Sequence, residues 1–405
     1  MDRRRPEADT ECSEQGYIRE GGTMSRLGKA LAVVCILGTV PITALAASGT
    51  ATLAGSWRTL SPAPFPVRQG LTSVWTGRQL VVFGRNPLTN PSANVAEAYA
   101  PASGRWSRLA PPALPGSDPG CCRSVWTGRQ MLVFGAFRSL TYMPSGNRWQ
   151  ALQRSIPTGI VVWTGHEAIG WGGGCCGDAR SNGVAYNPLT RVYRPLSRSP
   201  LAPSQRPLGA WTGHELLLFV SGFDPDGRPY PARFARAAAY DPATNMWRRI
   251  APLPGTGLRF AGAGVWDGHE FLVAGAGADG KSVLAYDPKT NLWRRLAPLP
   301  APRVGATALW TGAGLVLWGG QNLGASRSLS DGLAYDPTSD RWSSIAPAPI
   351  KARSGSAVAW TGRSLLVWGG EIGTPAGTSL PPRFPRDGAG FTPAASQLVE
   401  AGCGG

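Results

Sequence analysis

Residues 308–320 read ALWTGAGLVLWGG, and residues 358–370 read VAWTGRSLLVWGG. Working outward from this pair, the same phrase recurs in looser form along the chain. Trp-[Thr/Asp]-Gly begins at Trp75, Trp126, Trp163, Trp211, Trp266, Trp310 and Trp360. Each copy is an apolar run, a Thr-Gly or Asp-Gly turn and a second apolar run, which reads as a β-hairpin whose glycine supplies the positive φ of a tight turn.

Two further marks keep register with the first. An aromatic two residues before proline recurs at Tyr99, Tyr142, Tyr186, Tyr240, Tyr286, Tyr335 and Phe391. Seven residues later a second aromatic follows, at Trp106, Trp149, Tyr193, Trp247, Trp293 and Trp342. Each unit therefore reads as four strands, a to d. Strands a and b flank the Trp-x-Gly turn, strand c ends at the proline, which cannot donate to a ladder, and strand d opens on the second aromatic. Such units cannot bury their faces alone and must stack, and radial stacking leaves only short, protected edges. The expected fold is all-β: a seven-bladed β-propeller of four-stranded blades over residues 56–395.

The seventh unit lacks its strand d, because Leu398 stands where the aromatic belongs. The missing piece lies at the other end of the chain, where SWRTLSPAPFP (56–66) matches RWSSIAPAP (341–349). The first strand is thus expected to complete the last blade and close the ring. The glycine pair, the Tyr-x-Pro and the downstream Trp resemble the kelch repeat. The resemblance implies an exported, bacterial-type kelch protein, a galactose-oxidase-like propeller without the copper ligands, on a fold that hosts many unrelated activities.

Ahead of the repeats, Arg26 and Lys29 precede an apolar run from Leu31 to Leu45 and an Ala44-Leu45-Ala46 cleavage site. Residues 24–46 read as a signal peptide, residues 1–23 as a non-native N-terminal extension, and residues 396–405 as a disordered tail. The chain is expected to be exported, extracellular, periplasmic or at the cell surface, without a membrane span once cleaved, and monomeric.

The formal net charge is +16, and residues 1–46 contribute six charges of each sign, so residues 47–405 carry all of it. Such a balance favours an anionic partner. Strand direction puts the d–a and b–c loops on one face and the a–b and c–d turns on the other, and the variable b–c loops point to the first face as the binding face. Seven residues before the strand-a Trp stand Arg68, Arg259, Arg303 and Arg353, in four units that are consecutive around a closed ring, with Arg206 near the same place in unit 4. Read as a ligand-binding arc, these guanidiniums suit carboxylate, sulfate or phosphate; read as a structural element, they brace the d–a loops. Glu371 beside them belongs to the same ligand-binding set or pairs with a neighbouring arginine; it is also the candidate general acid–base of the alternative function, an epimerase- or lyase-like enzyme on an acidic sugar.

No cofactor or metal is expected. The three histidines, His166, His214 and His269, fall at one repeat position in separate turns, and Asp224-Pro225-Asp226-Gly227 lacks the later carboxylates of a calcium loop. Cys121-Cys122 and Cys175-Cys176 are disulfide candidates, with pairing between or within the doublets left open. The aromatics are committed to the repeats and no nucleic-acid motif accompanies the arginines, so nucleic acid is not an expected partner. The expected function is a binding module, without catalysis, for an anionic or carbohydrate ligand or an acidic protein or peptide.

Overall fold

The computed structural model describes residues 50–394, apart from Pro66, Arg68, 86–93, 112–121, Phe137, 175–177, Pro225, 256–261, 323–326 and 374–382. The expected signal peptide, extension and C-terminal tail lie outside the described residues. Seven antiparallel four-stranded sheets form the blades of a β-propeller. The inner strands are Gln69–Trp75, Arg123–Trp126, Ile160–Trp163, Leu208–Trp211, Ala263–Trp266, Thr307–Trp310 and Ala357–Trp360. Each packs on the next, and the seventh packs on the first, so the ring is closed.

The b strands explain why their sequence is continuously apolar. Leu216–Phe219 is buried at all four positions. Leu216 and Leu218 face the seam with blade 3, while Leu217 and Phe219 face the seam with blade 5. A strand covered on both faces needs apolar residues on both. Seven buried apolar clusters result among the described residues, one at each blade–blade seam.

The seven-residue spacing of the aromatics has a geometric cause. It sets Tyr99 opposite Trp106, and Tyr335 opposite Trp342, across the c–d hairpin. All seven blades hold such a pair, with ring centroids 4.5 Å apart in blade 3 and 5.3 Å apart in blade 7. The strand-d indole also reaches across the seam: Trp106, Trp247, Trp293 and Trp342 donate Nε1–H to the Ser61, Ser197, Ala251 and Ala297 carbonyls of the preceding blades.

A residue between the two aromatics joins this network. Asn147, Asn245, Asn291 and Asp340 take a left-handed conformation in the c–d turn, which short polar side chains tolerate. Asn245 accepts from the Tyr240 hydroxyl (2.6 Å) and the Ser197 N–H (3.0 Å). Asp340 does the same for Tyr335 and Ala297. One side chain thus ties its own c–d turn to the neighbouring blade.

Closure follows the expected route and adds to it. Gly55–Thr59 pairs antiparallel with Gly388–Pro393, placing Trp57 opposite Phe391 as the seventh aromatic pair. Upstream, Ala51–Thr52 pairs parallel to strand d of blade 6, Arg341–Ile345, as a fifth strand. Leu53 between the two is buried in the seam of blades 6 and 7. The segment therefore latches two blades, where the sequence pattern indicated one.

Candidate functional site

On the d–a/b–c face, Arg303 and Arg353 are buried. The Arg303 guanidinium donates to the Gly319 and Asp331 carbonyls and pairs with the Asp331 carboxylate at 2.8 Å. Arg353 repeats this with Gly369 and Asp387, whose carboxylate lies 2.7 Å away, and also donates from Nε to the Lys351 carbonyl. These two guanidiniums hold the end of strand b and the start of strand c inside their own blades. The geometry is the brace rather than the open arc at both positions. Arg68 and Arg259 lie outside the described residues, and Arg206 is exposed in the loop entering blade 4.

Glu371 opens the b–c connection of blade 7. Its backbone pairs both ways with Ser354, and the side chain is half-buried. Cys122 is buried in the seam of blades 1 and 2; Cys121, Cys175 and Cys176 lie outside the described residues. Asp224 closes a turn, its carboxylate accepting from the Arg228 N–H.

A buried carboxylate absent from the sequence reading sits under the same face. Glu97 in strand c of blade 1 has no exposed surface. The equivalent positions, two before the strand-c aromatic, are Leu140, Val184, Ala238, Leu284, Leu333 and Ala389. Its Oε1 accepts from the Phe65 N–H at 3.0 Å, while Oε2 is buried without a hydrogen-bond partner among the described residues. Burial pushes the carboxyl up to about 7, against the opposing pull of the Phe65 N–H and of Arg108 and Arg386. The folded state then holds a proton that the unfolded chain releases near pH 4.5. The stabilising contribution is complete below that value and is lost as pH rises through about 7, by up to roughly 3 kcal/mol. Glu97→Gln, which keeps the Phe65 contact, is expected to match wild type at pH 5 and to be the more stable protein at pH 8. Urea midpoints at the two pH values check this, and an equal difference at both would refute it.

The opposite face is built by the a–b turns. In each, the Thr or Asp after Trp accepts backbone N–H groups two and three residues on, as Thr76 does from Arg78 and Gln79 and Asp267 from His269 and Glu270. The next glycine is left-handed, with φ +88° at Gly77 and +106° at Gly268. This fixed geometry sets the following residue at the tip. Around the ring the tips read Arg78, Arg129, His166, His214, His269, Ala313 and Arg363, and all but Ala313 are exposed. In blades 3, 4 and 5 the adjoining Glu167, Glu215 and Glu270 pair with Arg194, Arg248 and Arg294 of strand d. A cleft of about 750 Å³ opens on this face at blades 1 and 2.

With this geometry in view, comparison with solved structures shows the fold. The chain is similar to a fungal alcohol oxidase of the AA5 family in complex with copper, with a TM-score of 0.62 and 14% identity over 86% of this chain and 79% of that one. It is also similar to YjhT, with a TM-score of 0.49 and 13% identity over 71% of this chain and 99% of that one. No protein-family model and no curated protein matches the chain. Imidazole is a natural copper donor, but the three histidines stand one to a blade on separate turns. Among the described residues no group of three or more His, Cys, Asp or Glu could hold a metal ion.

Proposed function

We propose that this chain is an exported, kelch-type propeller that works without catalysis as a binding module for an anionic ligand. The observation that carries the reading is the arginine at the tips of three a–b turns. Arg78, Arg129 and Arg363 are exposed, and none makes a side-chain hydrogen bond or ion pair among the described residues. Closed b strands and seam-spanning indoles make the scaffold rigid, which suits a binding surface whose side chains are set in advance. The repeat marks support the kelch assignment, and the basic balance of the repeats supports an anionic partner.

The test is a screen of the purified full-length chain on immobilised polyanions and neutral glycans at low and moderate salt. Retention on polyanions that weakens with salt is the expected result, because exposed charge pairs are screened. Equal retention on neutral glycans, or capture of a neutral protein partner with no polyanion binding, would remove the anionic reading.

A further inference from the structure

Blades 7, 1 and 2 adjoin, and their turns on the a–b/c–d face differ from the rest. The a–b turns are TGRQ (76–79), TGRQ (127–130) and TGRS (361–364), and the c–d turns of blades 1 and 2 are PASGR (101–105) and PSGNR (144–148). These five turns carry Arg78, Arg105, Arg129, Arg148 and Arg363, all exposed, and no Asp or Glu. The turns of the other blades carry acids: Glu167, Glu215 and Glu270 in the a–b turns of blades 3 to 5, with Asp241, Asp287 and Asp336 in the c–d turns of blades 4 to 6. Positive charge on this face is thus compensated over one part of the ring and uncompensated over the other.

The 750 Å³ cleft falls in the uncompensated sector. Its lining includes Trp75 and Trp126 at the ends of two inner strands, Pro101 and Pro144 in two c–d turns, Arg78, and Thr361 of blade 7. Both indoles are half-buried. They add aromatic surface to the cleft lining, while guanidinium forks stand at the turn tips.

We infer that this sector binds an acidic oligosaccharide, with sugar rings against Trp75 and Trp126 and carboxylate or sulfate groups on Arg78, Arg129 and Arg363. The inference rests on the anionic-ligand reading above and adds the ligand class and the place. A sugar ring has apolar C–H faces and a polar rim, which matches an aromatic lining edged by charge. An acidic peptide would need backbone partners along its length, and the prolines of the two c–d turns have no N–H to offer.

The experiment is calorimetric titration of the full-length chain with a heparin-derived oligosaccharide, an oligogalacturonate, a neutral oligoglucoside and poly-glutamate. It compares wild type with Arg78→Ala/Arg129→Ala/Arg363→Ala, with Trp126→Phe, and with Arg206→Ala on the other face. At least one acidic sugar is expected to bind wild type and Arg206→Ala alike, and to bind the triple variant at least about tenfold more weakly, as loss of charged hydrogen bonds requires. The three arginines are exposed and make no side-chain hydrogen bond or ion pair among the described residues, so an unchanged melting temperature separates lost binding from lost folding. The acidic sugar is also expected to change indole fluorescence in wild type, and to do so less in Trp126→Phe. Acidic-sugar binding untouched by the triple variant overturns this site and leaves the anionic reading standing. Binding of poly-glutamate alone, with the same arginine dependence, overturns the glycan class. No binding of any polyanion by wild type removes both readings.

Discussion

Trp57→Ala is expected to cost about 4 kcal/mol of stability, in line with truncation of a packed indole. It is expected to release blade 7 as well as weaken the protein. Trp57 stands opposite Phe391 in the closing hairpin, with ring centroids 5.3 Å from Phe391 and 5.1 Å from Trp318 of blade 6. Its Nε1–H donates to the Ala346 carbonyl of blade 6 at 2.8 Å. In blades 1 to 6, strand d follows strand c through a short turn, so a lost contact there leaves the strand tethered nearby. In blade 7 the two partners come from opposite ends of the chain, and only packing and the ladder hold them, so loop-closure entropy favours opening.

Trp106→Ala is the matched comparison, since that indole makes the equivalent contacts with Tyr99, Trp368 and the Ser61 carbonyl in a continuous blade. Hydrogen exchange distinguishes the two. Trp57→Ala is expected to speed amide exchange in Gly388–Pro393 under native conditions, whereas Trp106→Ala leaves that strand protected relative to its own global stability. Equal local protection in both variants would show that the closing strand has no special role in holding the ring. The parallel pairing of Ala51–Thr52 on blade 6 gives a second grip, so removal of residues 50–54 alone is a milder lesion than Trp57→Ala.

The ring was legible because each of its marks has one physical cause. The Thr or Asp and the Gly of the a–b turn, the doubly covered b strand and the cross-strand aromatic pair all leave fixed spacings, and seven copies make the spacings unmistakable. The closing strand was legible for the same reason, since SWRTL answers the gap after Phe391. The parallel strand at Ala51–Thr52 was not, because two residues paired through backbone alone carry no pattern. The Tyr–Asn link across the seam was visible as an Asn or Asp five residues after the strand-c aromatic, but its meaning needs the neighbouring blade's N–H, which only the ring supplies.

The site was less legible, and for a different reason. Repeat position told which loop an arginine enters but not whether its head group points into the blade or out of it. Arg303 and Arg353 share a position with Arg68 and Arg259, yet the deciding feature lies elsewhere in each unit. Asp331 and Asp387 stand four residues before the strand-c aromatic, where units 1 and 5 have Val95 and Ser282. An arginine that keeps company with that aspartate is a brace. The turn-tip arginines, by contrast, were printed directly after Trp-x-Gly, in turns whose shortness made them look purely structural.

That distinction sets up the second large effect. Asp387→Ala is expected to destabilise the protein by about 3 to 5 kcal/mol, the usual cost of leaving a buried charge without its partner. The Arg353 side chain is 2% exposed, whereas Asp387 is 48% exposed. Deleting the carboxylate therefore removes little packing while leaving the buried guanidinium without its counter-charge. Its remaining partners, the Gly369, Asp387 and Lys351 carbonyls, supply dipoles but no counter-charge. Asp331→Ala should act likewise on Arg303, whose side chain is 5% exposed beside a carboxylate at 36%. Arg363→Ala, at an exposed turn tip, should stay within about 0.5 kcal/mol of wild type. Urea unfolding of the three variants decides the matter: a lowered midpoint with an unchanged slope is expected for the two aspartate variants alone. Under conditions where all remain folded, Asp387→Ala should still bind the acidic ligand as wild type does. A loss below about 1 kcal/mol in Asp387→Ala would mean that the carbonyls suffice for the guanidinium. Loss of ligand binding in a still-folded Asp387→Ala would instead return the d–a/b–c face to contention as the binding surface.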